Sequence, residues 1–155
     1  MRPVDPTRFR SVMGNFATGV TVVTATGPSG PVGMTANAVT SLSLDPLLLL
    51  VAFDNTARTL QVVRDTERFG VNVLASQQAD LARLFASKAP EDAKFAGVPH
   101  QVHDGIPVID GVLAFVGCRL ERLEPGGDHT IGIGAVESAE AGDGRPLIWF
   151  RGEYR

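Results

Sequence analysis

The chain has 155 residues, 44% of them hydrophobic, which is the length of one ordinary domain with ample apolar material for a single core. A formal net charge of −3 leaves no global basic field, which argues against nucleic acid or anionic lipid as partners; a local basic site for one phosphorylated ligand stays open. The one cysteine, Cys118, cannot form an internal disulfide and reads as core filler in a reducing compartment.

The opening "MRPVDPTRFR" lacks the apolar core of a signal peptide. The longest apolar run, Leu47 to Phe53, is far shorter than the roughly 20 residues of a membrane helix, so a soluble cytoplasmic protein is expected. Asp5 before Pro6 reads as a helix N-cap, and Phe9, Val12, Met13 and Phe16 recur at helical spacing, with Gly19 ending the helix. Val20 to Ala25 is strand-like, Gly27 to Pro31 is a turn, and "GMTANAVTSLSLDP" (Gly33 to Pro46) returns as the second strand of a hairpin. "LLLLVAF" has no polar alternation, as expected of a strand covered on both faces, inside a barrel or under a helix or second subunit.

A short helix capped near Asn55 or Thr56 comes next, then a strand from Phe69 to Ala75. Ser76 is placed to cap a helix that carries Leu81, Leu84 and Phe85 on one face. Lys88 to Asp110, with Pro90, Pro99 and Pro107, reads as loop. Val112 to Glu124, His129 to Ala141 and Pro146 to Arg155 are further strands, joined by the turns "PGGD" and "GDGRP". Many strands with short helices predict a closed or nearly closed antiparallel barrel decorated by helices.

Familiar catalytic patterns are missing. "HQVH" sets His100 and His103 at i and i+3 without companion ligands at zinc spacing, so no metal is expected. No G-x-S-x-G elbow, G-x-G-x-x-G or Walker A sequence occurs. A flavin, by contrast, needs a flat slot, donors and acceptors along its pyrimidine edge, and a cation or free amides for its phosphate. Thr35, Asn37, Ser41 and Ser43 offer the hydrogen bonds, and Ala36 and Ala38 let the main chain approach the ring. "NTART" (Asn55 to Thr59) offers hydroxyls, helix N-terminal amides and Arg58 for the phosphate. The same residues also read as helix caps and a solvated barrel rim. His129, just after a turn, could face a ligand or be satisfied by backbone; Tyr154 could stack on a planar ligand or cover the barrel end.

"FATGVTVVTA", "GMTANAVTSLSLDPLLLLV", "FGVNVLA", "GDHTIGIGAVE" and "PLIWFRGEY", in that order, resemble the short-chain NAD(P)H:flavin oxidoreductases, the reductase components of two-component flavin-dependent monooxygenases. The resemblance runs from about Phe9 to Tyr154. It implies a mainly β, antiparallel, Greek-key-like split barrel of the FMN-binding type with short helices, one flavin reductase-like domain over residues 1–155. A homodimer with flavin near the subunit interface is also implied.

By the same resemblance, Thr35, Ala36, Asn37, Ala38, Val39, Ser41 and Leu42 line the isoalloxazine and ribityl chain, and Thr56, Ala57 and Arg58 meet the phosphate. Relatives often carry lysine at the Thr56 position, which leaves FMN against FAD open. Phe85 to Ser87 hold the rest of the cofactor, and His129 and Tyr154 meet the nicotinamide nucleotide, with His129 as the catalytic position. The implied reaction is hydride transfer from NADH or NADPH to FMN or FAD, with reduced flavin passed to a partner oxygenase. Two alternatives stay open: a barrel of the same type that keeps its FMN for other redox work, and a non-enzymatic barrel for interaction or haem handling.

Overall fold

The computed structural model describes residues 1–155. Asp5 starts helix α1 (Pro6–Met13) as the sequence predicts, its carboxylate accepting from the Arg8 amide at 2.8 Å. The helix stops at Gly14, well before Gly19, because the chain closes on itself there: the Gly14 amide bonds the Arg10 carbonyl, and Asn15 Nδ2 takes that of Ser11 at 2.9 Å.

A short strand β1 (Thr18–Gly19) precedes the hairpin of β2 (Thr21–Gly27) and β3 (Gly30–Ala36). The single strand expected over Gly33 to Pro46 is in fact two. It breaks at Asn37 and Ala38, and β4 (Val39–Leu44) leaves β3 to pair with β5 (Leu47–Asp54). Asp45 and Pro46 make the turn of that second hairpin, as expected. With β6 (Arg68–Val73), β9 (Ala114–Gly126) and β10 (His129–Ala141), these strands form one antiparallel sheet in the order β3-β2-β6-β9-β10-β5-β4. Two consecutive strands therefore sit at opposite edges. The sheet curls until β3 comes back beside β5, leaving a barrel split along a seam that Asn37 and Ala38 bridge.

Burial along β5 alternates although polarity does not. Leu49, Val51 and Phe53 are buried while Leu47 is exposed and Leu48, Leu50 and Ala52 are half-buried, so the expected full cover on both faces is not met within one chain. Inside, Phe53 meets Phe69 edge-on at 5.9 Å. A Cβ on Gly134 would lie 2.6 Å from the Phe69 ring and 2.8 Å from Cys118 Cβ, so this glycine is needed for close packing. Cys118 is buried, and burial pushes its thiol up to about 12.

Helix α2 (Arg58–Thr66) begins after Ala57 with no side-chain cap, so neither Asn55 nor Thr56 plays the predicted part. Helix α3 (Ala79–Ala86) follows Gln78, not a Ser76 cap; the Gln78 side chain accepts from the Ala75 amide at 2.8 Å instead. The stretch read as loop holds helix α4 (Glu91–Phe95) and a hairpin of β7 (His100–His103) and β8 (Ile106–Ile109). Buried Asn72 ties that hairpin to the barrel, its Oδ1 accepting from the Ile109 amide at 2.9 Å and its Nδ2 donating to Val22 and Thr24. The last strand candidate splits into β11 (Ile148–Phe150) and β12 (Glu153–Tyr154), which form a small sheet with β1. No helix is long and apolar enough to cross a membrane.

Replacing Gly134 with alanine overpacks the barrel centre and should lower the unfolding free energy by about 2 kcal/mol in urea titration; an unchanged midpoint would show that the Phe69 ring moves aside at no cost.

Candidate functional site at the barrel seam

Where β3 and β4 part, one side of the main chain has no strand to bond. The Ala52 amide reaches the Ala38 carbonyl at 2.9 Å, extending the β4–β5 ladder by one step beyond the Val39–Val51 pair. Asn37, Ala38, Thr40, Ser41 and Leu42 are exposed along this strip, and Ala36 and Val39 lean into the core. Ser41 pairs with Leu49 and Ser43 with Leu48, so Leu42 is the extra residue of a β-bulge, which turns its side chain outward. Two of the predicted donors are already engaged. Thr35 Oγ1 donates to the Ala82 carbonyl of α3 at 2.6 Å, and Asn37 Nδ2 reaches Thr18 Oγ1 at 3.2 Å. Both keep lone pairs for a ligand, and Asn37 keeps its carbonyl.

At the upper end of β5 the strip meets the start of α2. The amides of Arg58, Thr59 and Leu60, the first turn of the helix, have no capping acceptor, and the buried Thr59 hydroxyl has no partner. An uncapped helix start with an exposed arginine favours an anion such as a phosphate. Thr56 is held differently from the prediction. Its amide and hydroxyl both donate to Asp54 Oδ1, at 2.8 and 2.6 Å. Those two bonds hold the Asp54 carboxyl below its usual range; desolvation opposes them, and the charges of His129 and Lys88 add lesser lowering effects.

His129 opens β10 directly across from Asp54, its Nδ1 2.7 Å from Asp128 Oδ1. Asn55 braces the turn below it, donating to the Gly127 carbonyl at 3.1 Å and accepting from Thr130 Oγ1 at 2.7 Å. Asp54, Thr56, Arg58, Lys88 and His129 thus gather at one end of the seam.

Tyr154 belongs to a second group. Its ring lies 4.8 Å from Trp149, with the Arg83 guanidinium 5.3 Å over it. Trp149 pairs in register with Thr18, the residue that holds Asn37. Burial raises the Tyr154 hydroxyl, and the Arg83 charge opposes that. No ring contact or hydrogen bond joins Tyr154 to His129, and the Tyr154 ring packs between Trp149 and the Arg83 guanidinium.

Phe85 is placed in the core. Its ring is 1% exposed, 5.0 Å from Phe95, and part of the core, so only its backbone is left for a ligand. Ser87 is exposed and caps the end of α3, donating to the Leu84 carbonyl at 2.7 Å. His100 and His103 fall on opposite faces of β7 by strand parity; His100 contacts the Val98 carbonyl and His103 sits beside Asp104.

Four residues of this neighbourhood escaped the sequence reading: Thr18, Asp54, Arg83 and Lys88. The D-x-T pattern at Asp54 signals a side-chain-to-backbone turn and was legible; the others meet the site only through folding. The residues present suit a flat heterocycle carrying a phosphate: small residues and open main chain along the strip, unused amides and a cation at its end.

Comparison with known proteins agrees with this geometry. The model for the flavin reductase like domain matches residues 13–155. The chain is 41% identical to HsaB, the reductase subunit of a flavin-dependent monooxygenase from Mycobacterium tuberculosis, over 97% of this chain and 82% of that protein. It is 37% identical to an NADH-dependent flavin reductase from a Rhodococcus species, over 98% of this chain and 86% of that one. The solved structure of an NADH:FAD oxidoreductase from Streptomyces globisporus superposes with a TM-score of 0.93 at 38% identity, covering 100% of this chain and 96% of the other. The matched span takes in the whole seam, and the chain belongs to the flavin reductase like domain family.

Proposed function

We propose that this protein is an NAD(P)H:flavin oxidoreductase that reduces FMN or FAD and supplies the reduced flavin to a partner monooxygenase. The observation that carries the reading is the seam itself, where a strip of small and hydroxyl-bearing residues runs into an uncapped helix start bearing Arg58. Related proteins that are reductase subunits of monooxygenases support it, and the NADH dependence of the Rhodococcus relative supports NADH as donor.

When both nucleotides are bound, hydride passes from the nicotinamide to flavin N5, a step that asks for alignment and a polarised ring more than for an acid or base. In this reading the main chain and side chains from Thr35 to Leu42, with Ala36, Asn37, Ala38, Val39 and Ser41, hold the ring and ribityl chain. Thr56, Ala57 and Arg58, with the free amides of the first turn of α2, hold the phosphate. The backbone of Phe85 and the Ser87 end of α3 meet the remainder of the cofactor. His129, steadied by Asp128 at Nδ1, presents Nε2 to the nicotinamide, and Tyr154 approaches the donor from the Trp149 side.

The same proposal includes a homodimer in the cytoplasm. Phe9, Val12 and Phe16 of the α1 region stand out from the surface, Phe16 68% exposed, and Leu44 at the β4–β5 turn is 82% exposed. A second copy is the occupant that fits two uncovered apolar faces beside a site expected at a subunit interface. Sedimentation at micromolar concentration should give twice the chain mass, and Phe16→Asp should give the monomer; a monomeric wild type would remove the dimer from the reading.

Steady-state assays pairing NADH or NADPH with FMN, FAD or riboflavin, followed by loss of nicotinamide absorbance, test the activity directly. Absence of flavin-dependent oxidation would overturn it. Arg58→Gln should raise the KM for FMN about tenfold and leave riboflavin, which has no phosphate, unchanged. His129→Ala should lower turnover at limiting donor with the flavin KM preserved; equal kinetics to wild type would reject its role.

A further inference from the structure

The outer edge of β3 forms one wall of the seam, and its donors can be followed residue by residue. Residues 30, 32, 34 and 36 bond inward to β2, so residues 31, 33 and 35 face out. Pro31 has no N–H. The Gly33 amide donates to Glu91 Oε2 at 3.1 Å. The Thr35 amide has no acceptor from a loop or a side chain and opens onto the seam. Along this edge, then, the first donor free to meet a ligand stands at the start of the flavin strip.

Glu91 is unusual for a surface helix of this kind. Its side chain is 15% exposed and its Oε1 lies 3.4 Å from Lys94 Nζ, itself 7% exposed. A buried ion pair carries a desolvation cost that a well-packed apolar pair would avoid, so its presence calls for a use. The packing around it is specific. A Cβ on Gly33 would lie 2.9 Å from the Phe85 ring and 3.4 Å from Phe95, so only glycine lets α3 and α4 close on the strand edge. Two residues on, Thr35 Oγ1 is fixed to the Ala82 carbonyl. β3 is therefore pinned from two helices at alternate residues.

We propose that Glu91, anchored by Lys94, is a positioning residue for flavin binding: it occupies the Gly33 amide and fixes β3 so that the open Thr35 amide presents to the ligand. This rests on the reading of the strip as the flavin site. Glu91 touches neither nucleotide; it acts through the backbone of residues 33–35.

The test pairs amide hydrogen exchange on the flavin-free protein with steady-state kinetics for wild type, Glu91→Ala, Glu91→Gln and Lys94→Met. In Glu91→Ala, exchange at Gly33, whose amide loses its acceptor, should accelerate about tenfold with Val71 of β6 unchanged, and the FMN KM should rise about tenfold with the NADH KM held within about twofold. Glu91→Gln keeps an oxygen that accepts from Gly33 and should restore both readouts to within about threefold of wild type. If the alanine variant does not fold, Lys94→Met, which frees the carboxylate from its anchor, decides by the same two measurements. An unchanged FMN KM, an equal rise in both KM values, or a glutamine variant as impaired as alanine would overturn the proposal. A wild type that oxidises no NADH with flavin would instead sink the functional reading, and the exchange data would then judge the strand-edge clamp alone.

Discussion

Every feature of the site depends on one parting of the chain. β3 and β4 follow each other in sequence with only Asn37 and Ala38 between them, yet they occupy opposite edges of the sheet. A backbone that separates in this way cannot satisfy its donors and acceptors by pairing with itself, and unpaired main-chain groups are costly unless something else meets them. The fold meets one of them, the Gly33 amide, with Glu91 of α4 and leaves the Thr35 amide open. Those open groups are where a ligand with polar edges can substitute for the missing strand.

The helices divide between closing and opening the structure. α1 carries a well-formed N-cap at Asp5, while α2 starts after an alanine with its first amides unused. A capped start satisfies itself, whereas an uncapped one invites an anion. Asp54 stands nearby with Thr56 as its partner, its Oδ1 accepting from both the Thr56 amide and hydroxyl. At the mouth Asp54 and His129 are thus held by their neighbours, while Arg58 has no partner within the chain.

Local chemistry made much of this legible. The Asp5-Pro6 start and the strand limits of β10, His129 to Ala141, were read from turn and capping residues alone. Resemblance added the assignment of the strip. What escaped depends on distant partners. Asn37 and Ala38 interrupt a stretch of uniform strand-forming character, and only the pairing of Val39 with Val51 shows the break. The prolines of the stretch read as loop proved compatible with order: Pro90 precedes α4, and Pro107 lies within β8, its carbonyl accepting from Thr24 Oγ1. Phe85 follows helical spacing faithfully, but which neighbour its face meets is decided by Phe95 and Gly33.

The buried thiol of Cys118 has a chemical consequence for a protein of this proposed activity. Reduced flavin that escapes into aerated water is oxidised by dioxygen and leaves hydrogen peroxide, which attacks thiolates far faster than thiols. The sole sulfhydryl here is enclosed by the barrel and held protonated well above neutrality. The scaffold therefore offers its own by-product no sulfenic acid to make, and each leaked turnover leaves the cysteine as it was.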